Sequence, residues 1–501
     1  MTLGVRADVP FYDDTPVNEE FNTNTIPILE QFYDLRGAET GQFIDANILF
    51  SPRVGFNWDV TGKKETQLRG GVGIFTSRAP LVWVGGAFNN FGLNRGTILR
   101  FGDLPFNPDI NTQVPGDIDP ANAEPSGDID LFADDFKLPQ FLRGNLALDQ
   151  KLPWGMTGTI DLMYTKTLQN VAYQNLNLGP AIGNLEGTPD DRPIFDRRDE
   201  VDDTYGRILL GYNTTEGYAY NLSAQITKPF DNGFSGSVAY SFSDSYSIFD
   251  GTSSQNSSQW RGLHSIDGRN FDQQLYRSDF AAGSRFIIGL TYALDYNLGS
   301  NIKGKSTISL FHESAQTRPF SYIYNDGGRL QNEDSRERSL IYIPQTSSDI
   351  VLIDSDDMTA AEQWEALDAF ISQDEYLSEN RGGYAEKNGN FGIWNHVMDL
   401  RFLQDLTFDA GGKEHTVQFT LDIFNFTNLL NEDWGRRTFT GSFNNLELLD
   451  FEGFQDGTNI PEFTLNTARI DEDGSVRETF DDNGLFSSRY QIQLGLRYLF
   501  K

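Results

Sequence analysis

Apolar and polar residues alternate in the last fifteen residues of the chain, SSRYQIQLGLRYLFK. The apolar positions of this segment are Tyr490, Ile492, Leu494, Leu496, Tyr498 and Phe500. The positions between them include Gln491, Gln493, Gly495 and Arg497. A period of two predicts a β-strand, because successive side chains of a strand point to opposite faces. The segment is therefore predicted to be a strand with one apolar face and one polar face.

The same alternation recurs along the chain, in pairs of segments joined by short polar turns such as DNG and DAGGK. Asp-Asn-Gly and Gly-Gly turns between alternating runs are strong hairpin signals. Ten internal segments, together with one around Val5 and the closing one, predict twelve strands. The internal segments are Ile48–Val60, Thr66–Ser77, Gln140–Leu152, Met156–Leu168, Tyr218–Phe230, Phe234–Phe249, Arg285–Tyr296, Ile302–Tyr324, Trp394–Phe408 and His415–Thr427.

The other connections are long and polar, and they alternate strictly with the short turns. They are Val9–Asn47, Arg78–Leu138, Gln169–Tyr205, Gly251–Ser278, Asn325–Ile393 and Leu429–Phe486. Short turns at one end and long loops at the other are typical of outer-membrane barrels. The pattern predicts an all-β fold, an antiparallel up-and-down outer-membrane β-barrel with long extracellular loops. A soluble β-sandwich is the alternative, but it has no reason to place every long connection at one end.

In an outer-membrane barrel the apolar face of each strand contacts lipid and the polar face lines a wet lumen. We therefore predict that the apolar positions of the closing strand face lipid, and that Thr291 faces the lumen. The predicted lipid-facing set includes Phe286, Ile288, Leu290, Tyr292, Val238, Tyr240, Leu494 and Leu496.

Composition narrows the function classes. The formal net charge is −33, from 72 acidic and 39 basic residues, which disfavours nucleic acid as a partner. Mean hydropathy is −0.45, and no run of about 18 apolar residues predicts a transmembrane helix. A barrel strand needs no continuous apolar run, because only every second residue meets lipid. The absence of cysteine excludes disulfides, thiolate catalysis and cysteine-ligated zinc, but it does not fix the compartment.

One long loop contains a helix signal. Thr359 followed by Glu362 matches a capping box, in which side chains and backbone amides at a helix start satisfy each other. Apolar residues at helical spacing follow, so we predict a loop helix of about three turns. The residues of this stripe are Ala360, Trp364, Leu367 and Ile371.

Two other loop features suggest binding, and each has a simpler interpretation. Pro108–Asp135 reads as an extended loop, and its acidic residues lack the register of a calcium-binding loop, so we predict a solvated loop rather than a calcium site. These residues are Asp117, Asp119, Glu124, Asp128, Asp130, Asp134 and Asp135.

The aromatic residues Trp83, Phe88 and Phe91 could bind a peptide or glycan, but packing within the loop or anchoring at the membrane interface is favoured.

No catalytic or metal motif emerges from the sequence, so we predict no enzyme activity, no cofactor and no metal. The four histidines lack partners at metal-ligand spacing and are predicted to occupy ordinary surface or lumen positions. They are His264, His312, His396 and His415. The glycine run at Arg69–Gly73 lies within a predicted strand, where close strand packing or a bend explains it better than phosphate binding.

Several segments resemble the Oar-like TonB-dependent receptors, and the resemblance runs over nearly all of the chain. The segments are LFSPRVGFNWDVTGKKETQLRGGVGIFTSRAP (Leu49–Pro80), YNLSAQITKPFDNGFSGSVAYSFSDS (Tyr220–Ser245), SSQNSSQW (Ser253–Trp260), EYLSENRGGYAEKNG (Glu375–Gly389), LDIFNFTNLLNEDWGRR (Leu421–Arg437) and the closing SRYQIQLGLRYLF. The resemblance implies a plug domain inside a 22-stranded barrel, energised by TonB of the inner membrane. The twelve predicted strands would then be the C-terminal part of that barrel, over residues 1–501.

The N-terminus, MTLGVRADVP, has neither the charged region nor the apolar region of a signal peptide, and it begins within a predicted strand. We therefore expect the signal peptide, the TonB box and the plug to lie outside this chain. The chain departs from the family pattern at NEDSRERSLIYIP, where relatives often carry an acidic stretch rich in Asp and Asn, so we do not expect an ion site there. It also departs at Lys501, which follows the usual final aromatic residue.

The leading functional hypothesis is energy-coupled uptake of an unidentified ligand across the outer membrane, with the long loops as the binding surface. Its expected partners are the outer-membrane bilayer, the TonB complex acting through the plug, and the barrel-assembly machinery. That machinery would recognise the apolar face of the closing strand, Tyr490 to Phe500, as an assembly signal. The alternatives are a surface or secretion-associated barrel that binds proteins, and an outer-membrane enzyme, which would need a nucleophile–base pair.

Overall fold

Twelve strands form a large antiparallel sheet, and three loop strands, Ile129–Phe132, Ile208–Thr214 and Tyr276–Arg277, extend it. The computed structural model describes residues 1–500 except 79, 94–105, 114–126, 272, 334–338, 441–443, 472–474 and 483. The strands are β1 Thr2–Asp8, β2 Leu49–Asp59, β3 Thr66–Thr76, β4 Gln140–Lys151, β5 Thr157–Asn175, β6 Tyr218–Asp231, β7 Phe234–Ser247, β8 Gly283–Leu298, β9 Ile302–Gln316, β10 Trp394–Ala410, β11 Lys413–Phe424 and β12 Gln491–Phe500.

Each strand of this sheet pairs with its neighbours in the sequence, so the chain runs up and down across it. The predicted strand number, strand order and alternation of short turns with long loops are confirmed. Within the described residues, β1 pairs only with β2 and β12 only with β11. The sheet is therefore open, with β1 and β12 as its two edges.

The register places the apolar residues of neighbouring strands on one face. Leu290 lies opposite Leu310, which lies opposite Leu400, and the row continues through Ile423 to Ile492. Directly opposed residues of antiparallel strands share a face. Following the other pairs in the same way places the whole predicted lipid-facing set on this face. Its members are Phe286, Ile288, Leu290, Tyr292, Val238, Tyr240, Leu494 and Leu496.

The glycine run of β3 is explained by close strand packing, as predicted. A Cβ atom on Gly70 would lie 2.7 Å from the carbonyl oxygen of Asn145 and 3.0 Å from the ring of Phe56. One on Gly71 would lie 2.8 Å from the carbonyl oxygen of Val54. Glycine therefore lets the backbones of β2, β3 and β4 approach at this point.

Two predicted strand boundaries were wrong. β5 does not end at Leu168 but continues to Asn175, because its last residues pair with a loop strand, Ile208–Thr214. The predicted strand Ile302–Tyr324 is two strands, β9 and a separate loop strand, Pro319–Asn325. Proline has no backbone N–H to donate to a sheet, and this favours a break before Pro319.

The six long connections pack together at one end of the sheet. We number them loop 1 to loop 6; they comprise residues 9–48, 77–139, 176–217, 248–282, 317–393 and 425–490. Their helices are α1 Ile26–Leu29, α2 Leu81–Asn89, α3 Asn256–Arg261, α4 Ala360–Gln373, α5 Glu375–Glu379 and α6 Phe426–Leu430. Their strands include Ile129–Phe132, Ile208–Thr214, Pro319–Asn325, Tyr342–Ile343, Gly383–Tyr384, Asn390–Phe391, Asn445–Phe454 and Pro461–Leu465.

The loops contain two large hydrophobic cores, which the expectation of polar loops had not foreseen. The first core unites loops 1 to 4 and the end of β5, around Phe136, Tyr173 and Trp260. The second unites loops 3, 5 and 6, around Phe320 and Phe370. All five side chains are at most 1% exposed. The loops are therefore one folded layer, which we call the loop layer.

The predicted helix in loop 5 is confirmed and is slightly longer than expected. Thr359 Oγ1 accepts a hydrogen bond from the backbone N–H of Glu362, and the Glu362 carboxylate accepts one from the N–H of Thr359. This capping box starts α4, which has 14 residues. Leu367 and Ile371 of the predicted stripe lie in the second core. Among the described residues, no helix has the length and apolarity to cross a membrane.

Candidate functional site

The polar face of the sheet carries ion pairs between strands. The Arg69 guanidinium lies 2.9 Å from Asp149 and 3.3 Å from Asp161, and so links β3, β4 and β5. Thr291, predicted to face the lumen, belongs to this face, and its hydroxyl lies 3.0 Å from that of Ser309. These groups suit a wet surface, where each can also bind water. Thr291 therefore lies on the face opposite the apolar row, as the prediction of a lumen position requires.

Buried ion pairs connect separate loops. Lys387 of loop 5 lies 2.6 Å from Asp250 of loop 4, and both side chains are less than 10% exposed. Arg269 of loop 4 binds Glu333 of loop 5 at 2.9 Å. Burial alone would raise the pKa of the Asp250 carboxyl, but the Lys387 ammonium holds it below its usual value. The second core is thus fixed against the first by charged groups as well as by apolar packing.

Arg192 connects loop 3 to loop 5 in the same way. Its Nε donates to Asp190 at 2.8 Å, and its Nη2 donates to the carbonyl oxygen of Leu340 at 2.8 Å. The guanidinium also lies over the rings of Tyr324 and Tyr384. Burial next to Asp190 raises the pKa of both tyrosine hydroxyls, so both stay protonated. The cluster is therefore a rigid connection and contains no group ready to exchange a proton.

A cavity of about 640 Å³, partly open to solvent, lies between loops 4, 5 and 6. His264 lines it, and its Nε2 lies 2.8 Å from the side-chain oxygen of Asn445. His264 is only 7% exposed, so the prediction of a surface or lumen position was wrong for this residue. Phe280 and Arg318 lie on the same wall and are exposed. The cavity offers aromatic, cationic and amide groups together.

A second cavity, of about 430 Å³, lies between loops 2 and 4 and is lined by Asp128 and Asp130. The Asp130 Oδ2 atom accepts hydrogen bonds from Asn90 at 2.9 Å and from Asn256 at 3.0 Å. Asp130 is 5% exposed because it lies in the loop strand Ile129–Phe132. The prediction of a solvated acidic loop was therefore wrong at this residue. Burial raises the pKa of its carboxyl to about 6, although the two amides act in the opposite direction.

The rest of the predicted acidic stretch is described only in part. Asp117, Asp119 and Glu124 lie outside the described residues, as do residues 334–338 and Lys501. Within the part of the chain that the structure describes, no group of three acidic, histidine or cysteine side chains could hold a metal ion. The calcium hypothesis therefore gains no support from Asp128 to Asp135.

Trp83 and Phe88 of loop 2 pack inside the loop layer, one of the two favoured interpretations. Trp83 is buried, meets the ring of Tyr173 edge to face at 6.2 Å, and donates its indole N–H to the Ser253 carbonyl at 2.9 Å. Phe88 packs against the small core around Leu49. These side chains stabilise the loop layer and leave little aromatic surface for a ligand.

A serine between two histidines lies on the apolar face, and the sequence analysis missed it. The Ser314 hydroxyl lies 2.8 Å from His312 Nε2 and 2.7 Å from His396 Nδ1. The signal was the His-x-Ser spacing within a predicted strand, which places both side chains on one face. His312 Nδ1 has no hydrogen-bond partner in the described structure, so no third group orients the imidazole. These contacts are better explained as hydrogen bonds by which the three polar side chains satisfy one another on a face that meets lipid.

The predicted assembly residues lie at the edge of the sheet. Tyr490 directly precedes β12, and the other five belong to it; they are Ile492, Leu494, Leu496, Tyr498 and Phe500. All six are exposed. Near the end of the strand, the Tyr498 hydroxyl lies 2.5 Å from His415 Nδ1, and the His415 ring stacks on Phe408 at 5.6 Å. β12 thus presents an aromatic cluster beside the short turns.

The family comparison covers most of this sheet. Residues 1–442 match the model of a family described as "Outer membrane beta barrel domain". The chain belongs to this family. The outer membrane barrel domain therefore lies in the outer membrane, and its apolar face meets lipid. The predicted fold class and location are confirmed.

Solved structures similar to the barrel domain include two transporters and a receptor. The transporter YddB of Escherichia coli is 9% identical with a TM-score of 0.38, and the similarity covers 91% of this chain and 41% of YddB. A mutant of the ferric enterobactin receptor PfeA of Pseudomonas aeruginosa is 8% identical with a TM-score of 0.33, covering 90% and 40%. The FrpB iron transporter of Neisseria meningitidis is 8% identical with a TM-score of 0.26, covering 76% and 39%.

The barrel domain spans about two fifths of the length of these structures. No curated protein matches the chain.

Proposed function

We propose that this barrel domain is the C-terminal part of a TonB-dependent outer-membrane receptor that takes up an unidentified ligand. The observation that carries the proposal is the open twelve-stranded sheet whose edges, β1 and β12, pair on one side only in the described residues. Unpaired backbone groups cost several kcal/mol each in lipid. Further strands of a larger barrel would satisfy both edges, in agreement with the 22 strands that the sequence resemblance implies.

The loop layer would provide the ligand-binding surface of this receptor. Its two cores and its buried ion pairs hold the loops in one arrangement, and preorganised surfaces bind at lower entropic cost. A ligand captured there and on the polar face of the sheet would act on a plug domain, which the TonB complex would pull. The plug and the TonB box are expected outside this chain.

The barrel-assembly machinery is the second proposed partner. It would recognise the apolar face of β12 and its aromatic end before this strand pairs with the first strand of the complete barrel. The support is the position of β12 at a free edge and the exposure of all six residues from Tyr490 to Phe500. A residue hidden in the sheet interior could not serve as such a signal.

Metabolite depletion tests the transport proposal even while the ligand is unidentified. Wild-type cells, cells lacking the complete receptor gene and cells depleted of TonB are grown in the same complex medium, and the spent media are compared by mass spectrometry. We expect one class of compound to be consumed by wild-type cells only. If the receptor mutant loses a surface protein or a secreted protein and consumes every compound normally, the protein-binding alternative replaces transport.

A further inference from the structure

The cavity between loops 4, 5 and 6 carries two opposite charges that do not pair with each other. Among its described lining residues, Asp279 brings the one carboxylate and Arg318 the one guanidinium. No ion pair joins these two groups, and Arg318 has no carboxylate partner elsewhere in the described structure. Arg318 is also exposed. Both charges are therefore available to a ligand that enters from the solvent side.

Asp279 carries negative charge that its neighbours do not fully compensate. Lys387 Nζ lies 2.6 Å from Asp250 and 3.7 Å from Asp279, so one ammonium group faces two carboxylates. The Asp250 side chain is buried, whereas 31% of the Asp279 side chain is exposed. Asn388 donates to Asp279 Oδ1 at 2.7 Å, but Oδ2 has no hydrogen-bond partner among the described residues and is not fully buried. A cationic group can therefore reach Oδ2.

Two further groups of the wall can contact a ligand. Phe280, next to Asp279 in the chain, is 65% exposed and offers an apolar ring. Asn445 directs its Oδ1 to His264 Nε2 at 2.8 Å. Its Nδ2 has no hydrogen-bond partner in the described part of the chain and is not fully buried, so it can donate to a ligand oxygen. The cavity thus adds an apolar surface and an amide donor to the two charges.

These four groups discriminate between ligand classes. A divalent metal ion prefers several carboxylates, and the described wall has one. A simple amine or a simple carboxylate would use one of the two charges, and a neutral saccharide neither. A short peptide with free ends has an ammonium group, a carboxylate, a carbonyl oxygen and a side chain, and each charged end can form a charge-assisted hydrogen bond. The volume of about 640 Å³ lies within the range of about 300–1,000 Å³ that is typical of small-molecule sites.

We propose that the cavity between loops 4, 5 and 6 binds a short zwitterionic peptide with an apolar C-terminal side chain. Its ammonium group would donate to Asp279 Oδ2, its carboxylate would accept from Arg318, and its side chain would cover Phe280. A carbonyl oxygen of the peptide would accept from Asn445 Nδ2. As an assignment of the receptor's ligand, the inference rests on the proposed function, but the binding itself requires neither TonB nor a plug.

Calorimetric titration of the complete receptor in detergent micelles tests this site. The probe is the dipeptide alanyl-phenylalanine with free ends, compared with its N-acetyl form, which lacks the ammonium group, and its C-terminal amide, which lacks the carboxylate. We expect wild-type protein to bind the free dipeptide at least about tenfold more tightly than either blocked form. The free dipeptide has no net charge, so general attraction by a chain of net charge −33 does not account for its binding.

Three variants assign each contact. R318Q should bind the free dipeptide and its C-terminal amide equally, and should still prefer the free dipeptide to the N-acetyl form. D279N should show the reverse pattern, with equal affinity for the free dipeptide and the N-acetyl form. F280A should lose the preference of wild-type protein for alanyl-phenylalanine over alanyl-glycine. A variant that merely disturbs the loops would weaken all probes alike, so these patterns separate contact from misfolding.

The controls are R197Q and D357N, which make the same changes in net charge at exposed positions of loops 3 and 5. Both should bind every probe as wild-type protein does. The site is overturned if wild-type protein does not bind the dipeptide, binds galacturonic acid more tightly, or keeps both preferences in R318Q and D279N. If these titrations succeed but cells depleted of TonB consume the dipeptide as wild-type cells do, transport fails and the site stands. If the receptor takes up another class of compound and the dipeptide does not bind, the site fails and transport stands.

Discussion

Adjacent residues of one strand meet different solvents in a barrel wall. Leu290 and Thr291 of β8 lie on opposite faces, the first in an apolar row with Leu310 and the second beside Ser309. L290R should therefore reduce the stability of the complete barrel in bilayers by about 2–4 kcal/mol, and T291R by much less. Refolding titrations in lipid vesicles measure both. Equal losses would mean that the two faces are wrongly assigned.

Asp130 should make the stability of the loop layer depend on pH. Its folded-state pKa of about 6 exceeds the unfolded value of 3.8, so the folded state binds more protons between these values. The stabilisation from this group is therefore fully present below about pH 4 and decreases as the pH rises to about 6. Above that pH it is absent, and the free energy of unfolding is lower by about 3 kcal/mol. Amide hydrogen exchange of loops 2 and 4 at pH 4.5 and 7.5 measures the change. D130N should remove this pH dependence. If the difference in exchange between the two pH values is unchanged in D130N, the pH dependence does not come from Asp130.

Ser314 has two imidazole neighbours but should not act as a nucleophile. His312 Nδ1 has no partner in the described structure, so no group fixes the tautomer that a general base would need. We expect a fluorophosphonate probe to leave Ser314 unlabelled at neutral pH, as judged by mass spectrometry of the strand. Labelling that disappears in H312A would contradict this and would revive the enzyme alternative.

At the scale of single elements, β12 combines a free edge with an aromatic end. Deleting Tyr498–Lys501 from the complete receptor should leave it in the periplasm or degraded, because this removes the Tyr498–His415 contact and the terminal aromatic residue. Cell fractionation and immunoblotting measure the outer-membrane level. The double variant Q491A/Q493A, on the polar face, should reach the outer membrane normally. Normal levels of the truncated receptor would leave these aromatic residues with an interfacial role only.

Strands were predictable from the sequence and loop cores were not, for a physical reason. Apolar residues such as Leu494 alternate with polar ones because one face of a barrel strand meets lipid along its whole length. The sequence of such a strand therefore has apolar residues at every second position. The errors fall where a strand leaves the membrane: after Leu168, where β5 continues into the loop layer, and at Pro319. There, tertiary partners such as Ile208–Thr214 decide the structure, and no local pattern encodes them.

At the scale of the whole molecule, the loop layer depends on contacts between distant segments. Its site residues show why the sequence could not predict it: Lys387 binds Asp250, and Asp130 is held by Asn256, across separate loops. Composition showed only that these loops are acidic. The helix start at Thr359 was predictable because its partners lie within four residues.

Removing the charge of Lys387 should loosen the loop layer while the sheet stays intact. K387M leaves Asp250 buried without its cation, at a cost of about 3–5 kcal/mol. Limited proteolysis of loops 4 and 5 should accelerate, and the heat-dependent gel mobility of the barrel should not change. K63M, in the exposed turn after β2, is the control and should behave as wild type. Unchanged loop proteolysis in K387M would show that apolar packing alone holds the loops.

The two loop cores also set the order in which this protein can be made. Each core collects segments that are separated in the sequence by membrane strands, from residue 21 to 263 in the first and from 185 to 465 in the second. Neither core can form until several hairpins have crossed the bilayer. The apolar residues of both cores must therefore cross it in an unfolded state. Premature collapse would produce a body too bulky to pass between strands. The final folding of the extracellular surface must therefore take place outside the cell, where no ATP-driven chaperone acts, and must be driven by the apolar burial and the ion pairs that the loops themselves form.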